Sequence, residues 1–389
     1  MHPYHHLLLL FLLLPLLVLW AGGVATCLLG LWAAWAFRHS AASQSGSFEP
    51  WVSLLKPLSG VETALEHNLE SFFRQDYSNF EILFAASDPA DPALEVVARL
   101  RTRYPHIAVK VVDASAPSYA NHKVYSLEKM AAQAAADILV ISDSDVRVTP
   151  DYLPSLVTAF ADPDVGVSTC VYRGVPGRGI WSRLEALAMS TEFMAGVLLA
   201  WKLEGMKFAL GPTMAVRRTC LEAIGGFAAM ANYLADDFVL GKWAAQAGYR
   251  VVLSGHVINH LVLGEDFRSC FLHRLRWARS ARFSRPWGYV GQVFTYPVPA
   301  ALLLAAMGPH SAAMAAVLVS TIALRCLAAL AVGWGVLRDR HALRSWWLVP
   351  VQELLSFAVW CGGFTGRYVQ WRDTRYRVWR GGRFEAIRG

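Results

Sequence analysis

The chain has 389 residues, 55% of them hydrophobic and only 17% charged, with a formal net charge of +7. Soluble domains carry about 25% charged residues, so this composition excludes a wholly soluble protein and assigns part of the chain to lipid. Six cysteines (Cys27, Cys170, Cys220, Cys270, Cys326 and Cys361) form no C-x-x-C pair, a pattern of reduced packing thiols rather than a disulfide framework or a zinc site.

Residues Leu7 to Phe37 give 31 positions without a formal charge, more than the roughly 20 that a spanning helix needs. The preceding MHPYHH has no Lys or Arg, and the apolar run is about twice the length of a signal-peptide core. Residues 1–37 therefore read as a retained membrane anchor, and the Ser-, Ala- and Gln-rich residues 38–50 as a linker.

Residues 51–265 have globular character. Strand-like runs at 51 (WVSLL), 80 (FEILFAA), 107 (IAVKVVD), 138 (ILVIS), 165 (VGVSTCV) and 250 (RVVLS) alternate with helical stretches at Leu65 to Phe73, Ala93 to Arg103 and Tyr125 to Ala136. That alternation predicts an α/β fold around a mainly parallel, mixed sheet. Leu184 to Trp201 is nearly membrane-length, but Glu185 and Glu192 interrupt it, which favours a buried or membrane-facing helix of the globular part.

Residues 266–286 set Arg268, Arg274, Arg276, Arg279, Arg282 and Arg285 among Phe271, Leu272, Leu275, Trp277 and Phe283. Such a basic amphipathic helix lies in the membrane interface. Residues 290–366 hold further membrane segments, broken at Gly308-Pro309, followed by the basic loop 338–344 and a third apolar stretch, 346–364. The positive-inside rule puts Arg38, the basic loop and the tail 367–389, with its seven Arg, in the cytoplasm. Three C-terminal crossings cannot satisfy that. Gln352 and Glu353 are costly at a bilayer centre, so 346–364 reads as re-entrant or interfacial.

Chemistry concentrates where strands end. Asp143 and Asp145 follow ILVIS with Ser144 between them. Two carboxylates on such a turn suit one hard divalent cation, Mg²⁺ or Mn²⁺, whose other ligands are water and substrate phosphate, at the strand ends where open parallel sheets bind ligands. Asp88 follows the second strand, and Asn121 and Lys123 precede a helix where an ammonium can meet a phosphate. Asp236 and Asp237 stand just before another helix, and HRLRW places His273, Arg276 and Trp277 on the interfacial one. Taken singly, Asp88 and Asp236 are equally well explained as helix caps.

In this order the motifs resemble the ceramide glucosyltransferase family of membrane-bound GT-A glycosyltransferases, whose pattern is D, D-x-D, E/D-D and Q/R-x-x-R-W. The matching stretches are SLLKPLSGVE, FEILFAASDPADPA, ILVISDSDVRVTPDYL, LGPTMAVRR, GGF, YLADDF and RWARSAR, with WRDTRYRVWRGGR in the tail. The resemblance implies a GT-A domain and a UDP-sugar donor held by Lys56, Asp88, Asn121, Lys123 and Asp143. It places the metal on Asp143 and Asp145. It makes Asp236 and Asp237 the catalytic pair with Asp237 as base, and Arg276 and Trp277 the residues that close the donor site. His273 stands where the family has Gln or Arg, which leaves its role open. Glycines 211, 225 and 226 with Pro212 read either as a close-packed loop near the acceptor or as ordinary turns.

The Ala-, Arg- and Trp-rich composition and D-S-D triplet look most similar to the bacterial branch associated with hopanoid biosynthesis. That branch implies transfer of N-acetylglucosamine to bacteriohopanetetrol at the bacterial inner membrane, with the catalytic domain facing the cytoplasm. The alternative is glucose transfer to ceramide or another lipid. A processive polysaccharide synthase and a transporter or scaffold are the other readings. Nucleic acid is not an expected partner, because an Arg- and Trp-rich stretch beside an apolar segment marks a membrane interface.

Overall fold

The structure is a computed structural model and describes residues 3–41, 48–262, 264, 266–308, 311–371 and 374–387, with side chains in the first helix from 13 to 40. Eight strands form one sheet: β1 (Val52–Leu58), β2 (Phe80–Ala86), β3 (Ala108–Asp113), β4 (Ile138–Ser142), β5 (Val146–Arg147), β6 (Val165–Pro176), β7 (Thr213–Arg217) and β8 (Arg250–Val262). Their order is β3-β2-β1-β4-β7-β6-β8-β5. β1 to β4 are parallel, as are β6 and β8, while β7 and β5 run against their neighbours. β2 and β4 are buried at every position, the pattern of strands covered on both faces. This is the α/β, mixed and mainly parallel sheet expected from the alternation.

The first helix, α1 (Pro3–Ala41), precedes the sheet; α2 (Leu65–Phe73), α3 (Ala93–Arg103), α4 (His122–Gln133) and α5 (Tyr152–Val157) pack within the sheet domain. α2 and α3 span the residues their apolar periodicity indicates. α4 begins three residues earlier than that periodicity, because the Asn121 side chain accepts from Val124 N at 3.2 Å and caps the helix.

The membrane side is built from α1, α6 (Ile180–Ala188) and α7 (Met194–Glu204) joined by a π-helical turn at Met189–Phe193, then α8 (Arg218–Ala223) and α9 (Asp236–Gln246) back in the sheet domain, and α10 (Phe267–Ser284), α11 (Pro286–Gly291), α12 (Pro297–Met307), α13 (Ala312–Leu330), α14 (Arg340–Ser345) and α15 (Val349–Gly363). Among the described residues, three helical runs are long and apolar enough to cross a membrane: Leu13–Ser40, Ile180–Glu204 and Ala312–Val336. A fourth, Pro286–Met307, is bent by 57° at its middle. Of its most apolar window, Ile180–Glu204 buries 61% inside the protein, against 17% and 33% for the other two, so it serves as an internal pillar between sheet and bundle. α15 has 15 residues, about 22 Å at 1.5 Å per residue and short of a hydrocarbon core of ~30 Å. Its Glu353 is fully buried and paired with Arg325 of α13 at 2.7 Å. Gly308 ends α12; Pro309 lies outside the described residues.

The Arg-rich tail, read from sequence as a basic appendage, is a small antiparallel sheet of β9 (Tyr368–Trp371), β10 (Thr374–Val378) and β11 (Phe384–Ala386). Val369, Tyr376, Val378 and Phe384 alternate inward onto Leu234. Leu234 N donates to Gly382 O at 3.2 Å and Phe384 N to Asn232 O at 2.9 Å. Arg279 of α10 donates to Tyr368 O at 2.6 Å. The tail therefore clips α10 to the segment that leads into Asp236.

Candidate active site

The C-terminal ends of β1 and β4 meet at the Asp143–Asp145 turn. Lys56, near the end of β1, is fully buried beneath it, with Nζ 2.6 Å from Asp143 O and 3.8 Å from the centroid of the Phe72 ring. Burial pushes its ammonium down to about 7, against the pull of Asp143 and Asp145. It braces the turn from behind rather than facing open space.

The two acids of the turn face different partners. Asp143 Oδ1 lies 2.7 Å from Lys123 Nζ. Burial raises the Asp143 carboxyl above its usual range, Lys123 opposes that, and Asp145 adds to it. Asp145 Oδ2 lies 3.1 Å from Nε2 of His260. Although burial works against its ionisation, His260, Lys56 and Lys123 hold the Asp145 carboxyl below the usual value. Burial likewise opposes protonation of His260, but Asp145 overrides it and raises the imidazole. The backbone sets this pairing: β5 runs directly out of the turn, Val146 registers against His260, and Leu261 N donates to Asp145 O at 2.9 Å.

His260 was not found by sequence reasoning. Its one signal is a His in the run NHLV of a long strand, and only the β5–β8 register turns it toward Asp145. Among the described residues no three His, Cys, Asp or Glu side chains converge as a ready metal cage. Asp145 Oδ1 and His260 Nδ1 are nevertheless buried without a hydrogen-bond partner, which left uncompensated costs about 1–3 kcal/mol each. Asp145 Oδ1 is open to a divalent cation with oxygen and nitrogen ligands, and His260 Nε2 could join it by exchanging its 3.1 Å hydrogen bond to Asp145 Oδ2 for the ion. Asp143, expected as the second metal ligand, has its near oxygen on Lys123.

Lys123 also lies 3.5 Å from Asp236 Oδ2. Burial opposes its charge, yet Asp143, Asp236 and Asp237 hold the ammonium well above its usual value. Asn121 spends both polar ends on the protein: besides capping α4 it donates from Nδ2 to Tyr233 O at 2.9 Å. Expected on the donor, it is placed instead to aim Lys123 and hold the loop before Asp236.

Asp237 opens α9. Its Oδ1 accepts from Phe238 N at 2.8 Å, and no cation lies within ion-pair distance of it among the described residues. Burial, with Asp236 next to it, pushes its carboxyl up to about 6, while Lys123 and the backbone N–H groups of Phe238 and Gly211 restrain the shift. A Cβ at Gly211 would sit 2.9 Å from Asp237 Oδ2 and would displace that carboxylate. The loop carrying it is bound at both ends, Asp143 N donating to Pro212 O at 3.2 Å and Ala209 N to Asp237 O at 3.3 Å. Gly225 and Gly226 lie elsewhere, in a turn after α8 at φ of 90° and 71°, and serve that turn.

On α10, His273 Nδ1 meets Glu185 Oε1 at 2.6 Å, and its ring lies 4.6 Å from that of Trp277. The family position of a Gln or Arg is thus filled by an imidazole anchored to the internal pillar. Arg276 makes no hydrogen bond or ion pair among the described residues, and burial lowers its guanidinium below the usual value. Asp88 stands apart: it is exposed and its Oδ1 accepts from Ala90 N at 2.8 Å. The neighbouring Asp91, by contrast, is buried and ties Gly60 N to the α3 terminus.

This arrangement, strand-end carboxylates facing buried lysines over a mixed sheet, has the fold of nucleotide-sugar glycosyltransferases of GT-A type. A mannosyltransferase from Pyrobaculum calidifontis, solved with GDP-mannose and Mn²⁺, aligns over 87% of this chain and 98% of its own with a TM-score of 0.50 at 19% identity. The chain belongs to glycosyl transferase family 21, whose description matches residues 16–384. Ceramide glucosyltransferase 1 of Caenorhabditis elegans is 28% identical over 208 residues, 53% of this chain and 44% of that protein. The ceramide glucosyltransferase of Komagataella phaffii is 33% identical over 134 residues, 33% of this chain and 26% of that protein. The alignments thus span less than half the length of these relatives.

Proposed function

We propose that the protein is a membrane-bound inverting glycosyltransferase that moves one sugar from a UDP-sugar to a hydroxyl of a membrane lipid. One observation carries this reading. Of the four site carboxylates, Asp143 and Asp236 share Lys123, Asp145 takes His260, and Asp237 alone keeps only backbone donors. Asp237 is thereby the group free to accept a proton.

In the reaction the acceptor hydroxyl gives its proton to Asp237 as its oxygen bonds to the anomeric carbon. The bond from that carbon to the diphosphate oxygen breaks on the opposite face, and UDP leaves with the electron pair. A general base of this kind contributes about 10²–10⁴-fold. Lys123 and Arg276 meet the negative charge as it develops on the diphosphate. Asp145, with His260 and Asp143 beside it, would hold a divalent cation, which would supply further positive charge for that leaving group. With one base and no carboxylate nucleophile in the scheme, a single displacement inverts the anomeric centre.

The finer reading is glucose transfer to ceramide or a similar lipid. The names of the relatives support it, whereas no residue of this site reads out an acetamido sugar or a triterpenoid, so N-acetylglucosamine transfer to a hopanoid is the weaker alternative. Arg38 and the basic loop 338–344 support a cytoplasmic site. The test is incubation of membranes containing the chain with labelled UDP-glucose and UDP-N-acetylglucosamine, followed by mass spectrometry of the lipids. One added hexose on a lipid is expected. A ladder of oligosaccharides, or label only in free sugar, overturns the reading.

A further inference from the structure

Two polar groups on one face of α10 end without a partner among the described residues, and both sit beside the same buried acid. His273, Arg276 and Trp277 are one helical turn apart, so their side chains share that face. The acid is Glu185 of α6, 2% exposed, whose Oε1 meets His273 Nδ1 at 2.6 Å. An ionised carboxylate only accepts, so Nδ1 carries the hydrogen and the ring is fixed in one orientation. Trp277 lies against the same ring. What remains is Nε2, turned away from Glu185 and bonded to nothing among the described residues. The Arg276 guanidinium is also unbonded; burial lowers it and Glu185 pulls the other way. Glu185 reaches the strand ends too. Burial opposes the charge of His260, Asp145 and Asp143 raise it, and Glu185 adds to the rise.

An unpaired guanidinium and a free imidazole nitrogen on one face call for an anion. The transfer chemistry supplies one, the diphosphate of the donor. Its oxygens, like those of Glu185, bring lone pairs and no hydrogen. An imidazole between two such acceptors must carry a hydrogen on each nitrogen. A Gln or Arg at this position holds its N–H groups ready at every working pH. His273 gains its second one only by taking up a proton.

We infer that Glu185 is a positioning residue that makes donor binding proton-coupled: it holds His273 so that Nε2 takes a proton from solvent and donates a hydrogen bond to the diphosphate. This assignment rests on the nucleotide-sugar reading and adds a regulation to that site. One proton moves from water or buffer to Nε2 as the donor binds and returns when UDP leaves. The charged groups around the ring are few. Arg274 and Arg276 of α10 and His260 of β8 all act on Glu185 or feel it. From α15, Ser356 accepts from Arg274 and Glu353 is spent on Arg325. The tail strand β9 meets α10 further along, at Arg279.

Calorimetry of UDP with Mg²⁺ on the full-length protein in detergent, in buffers of different ionisation enthalpy, counts the protons. Near about pH 8 the wild type is expected to take up more protons per UDP than H273Q, by a difference approaching about one. Lys56, Asp237 and His260 are present in both proteins and cancel. E185Q keeps an oxygen for Nδ1 and is expected to weaken UDP about tenfold, with almost no further loss when H273Q is already present. Equal proton counts in wild type and H273Q overturn the proposal, as does an E185Q loss that is the same in both backgrounds. Should E185Q bind no UDP in either background, the proton count of H273Q against wild type decides alone. A wild type that binds no UDP removes the nucleotide-sugar reading itself, and this assignment with it.

Discussion

The strand-end cluster and the Arg325–Glu353 pair both bury charge, and they do so in opposite ways. In the bundle, Arg325 Nε meets Glu353 Oε2 at 2.7 Å while Val298 N donates to Glu353 Oε1 at 2.8 Å, and neither side chain has a fully buried atom without a hydrogen-bond partner among the described residues. At the strand ends, Asp145 Oδ1 and His260 Nδ1 are buried without a hydrogen-bond partner, and Asp236 Oδ2 has only its 3.5 Å ion pair with Lys123. A closed pair holds helices together; an open cluster keeps bonds in reserve for something that arrives. Location in the chain would not have separated them, since both consist of acids beside bases in apolar surroundings.

The sharpest way to break this contrast is Asp237→Asn. Transfer is expected to fall by about 10²–10⁴-fold while UDP-sugar binding, read by calorimetry, stays near wild type; full transfer would move the base elsewhere. On the scaffold side, Glu353→Leu strands Arg325 and is expected to cost about 3–5 kcal/mol, read as a lower unfolding temperature in detergent. The double variant Arg325→Met with Glu353→Leu should recover most of it, and a failure to recover would show the pair to be more than a closed scaffold contact. His260→Ala should shift the Mn²⁺ titration midpoint at least about tenfold by electron paramagnetic resonance, and an unshifted midpoint removes it as a ligand.

Next in size is pH. With Asp237 pushed up to about 6 from 3.8, the proton is bound more tightly in the folded chain than in the unfolded one. Its contribution to stability is therefore full below about 3.8 and lost as pH rises through about 6. Activity runs the other way, falling about tenfold per unit below that value, so a kcat/KM profile with no acid limb near 6 contradicts the assignment. The smallest effect is expected at Asp88: removing one hydrogen bond to the donor raises KM about three- to tenfold with kcat unchanged, and an unchanged KM limits Asp88 to its own turn.

Much of the sheet was legible because its strands are short, apolar and bounded. FEILFAA gives β2 to the residue, and ILVIS gives β4. β6 and β8 run well past the apolar runs that announced them, into YRGVP and GHVINHLV. There they pair with each other, and pairing rather than composition keeps polar residues in strand. The tail failed for a related reason: its arginines advertise an interface, while the alternation of Val369, Tyr376 and Val378 that folds it matters only once Leu234 is beside it. For the site, acids at strand ends were visible as local motifs. His260 and Glu185 were not, because each gains its meaning from a partner more than 85 residues away in sequence, respectively Asp145 and His273.

The short loop Ala209–Pro212 bears on timing as well as geometry. It is fastened to Asp143 at one end and to Asp237 at the other. If Asp143 holds the donor and Asp237 takes the proton, as proposed, this link predicts ordered addition, sugar donor first and acceptor second, and random-order product-inhibition kinetics would remove the link from the mechanism.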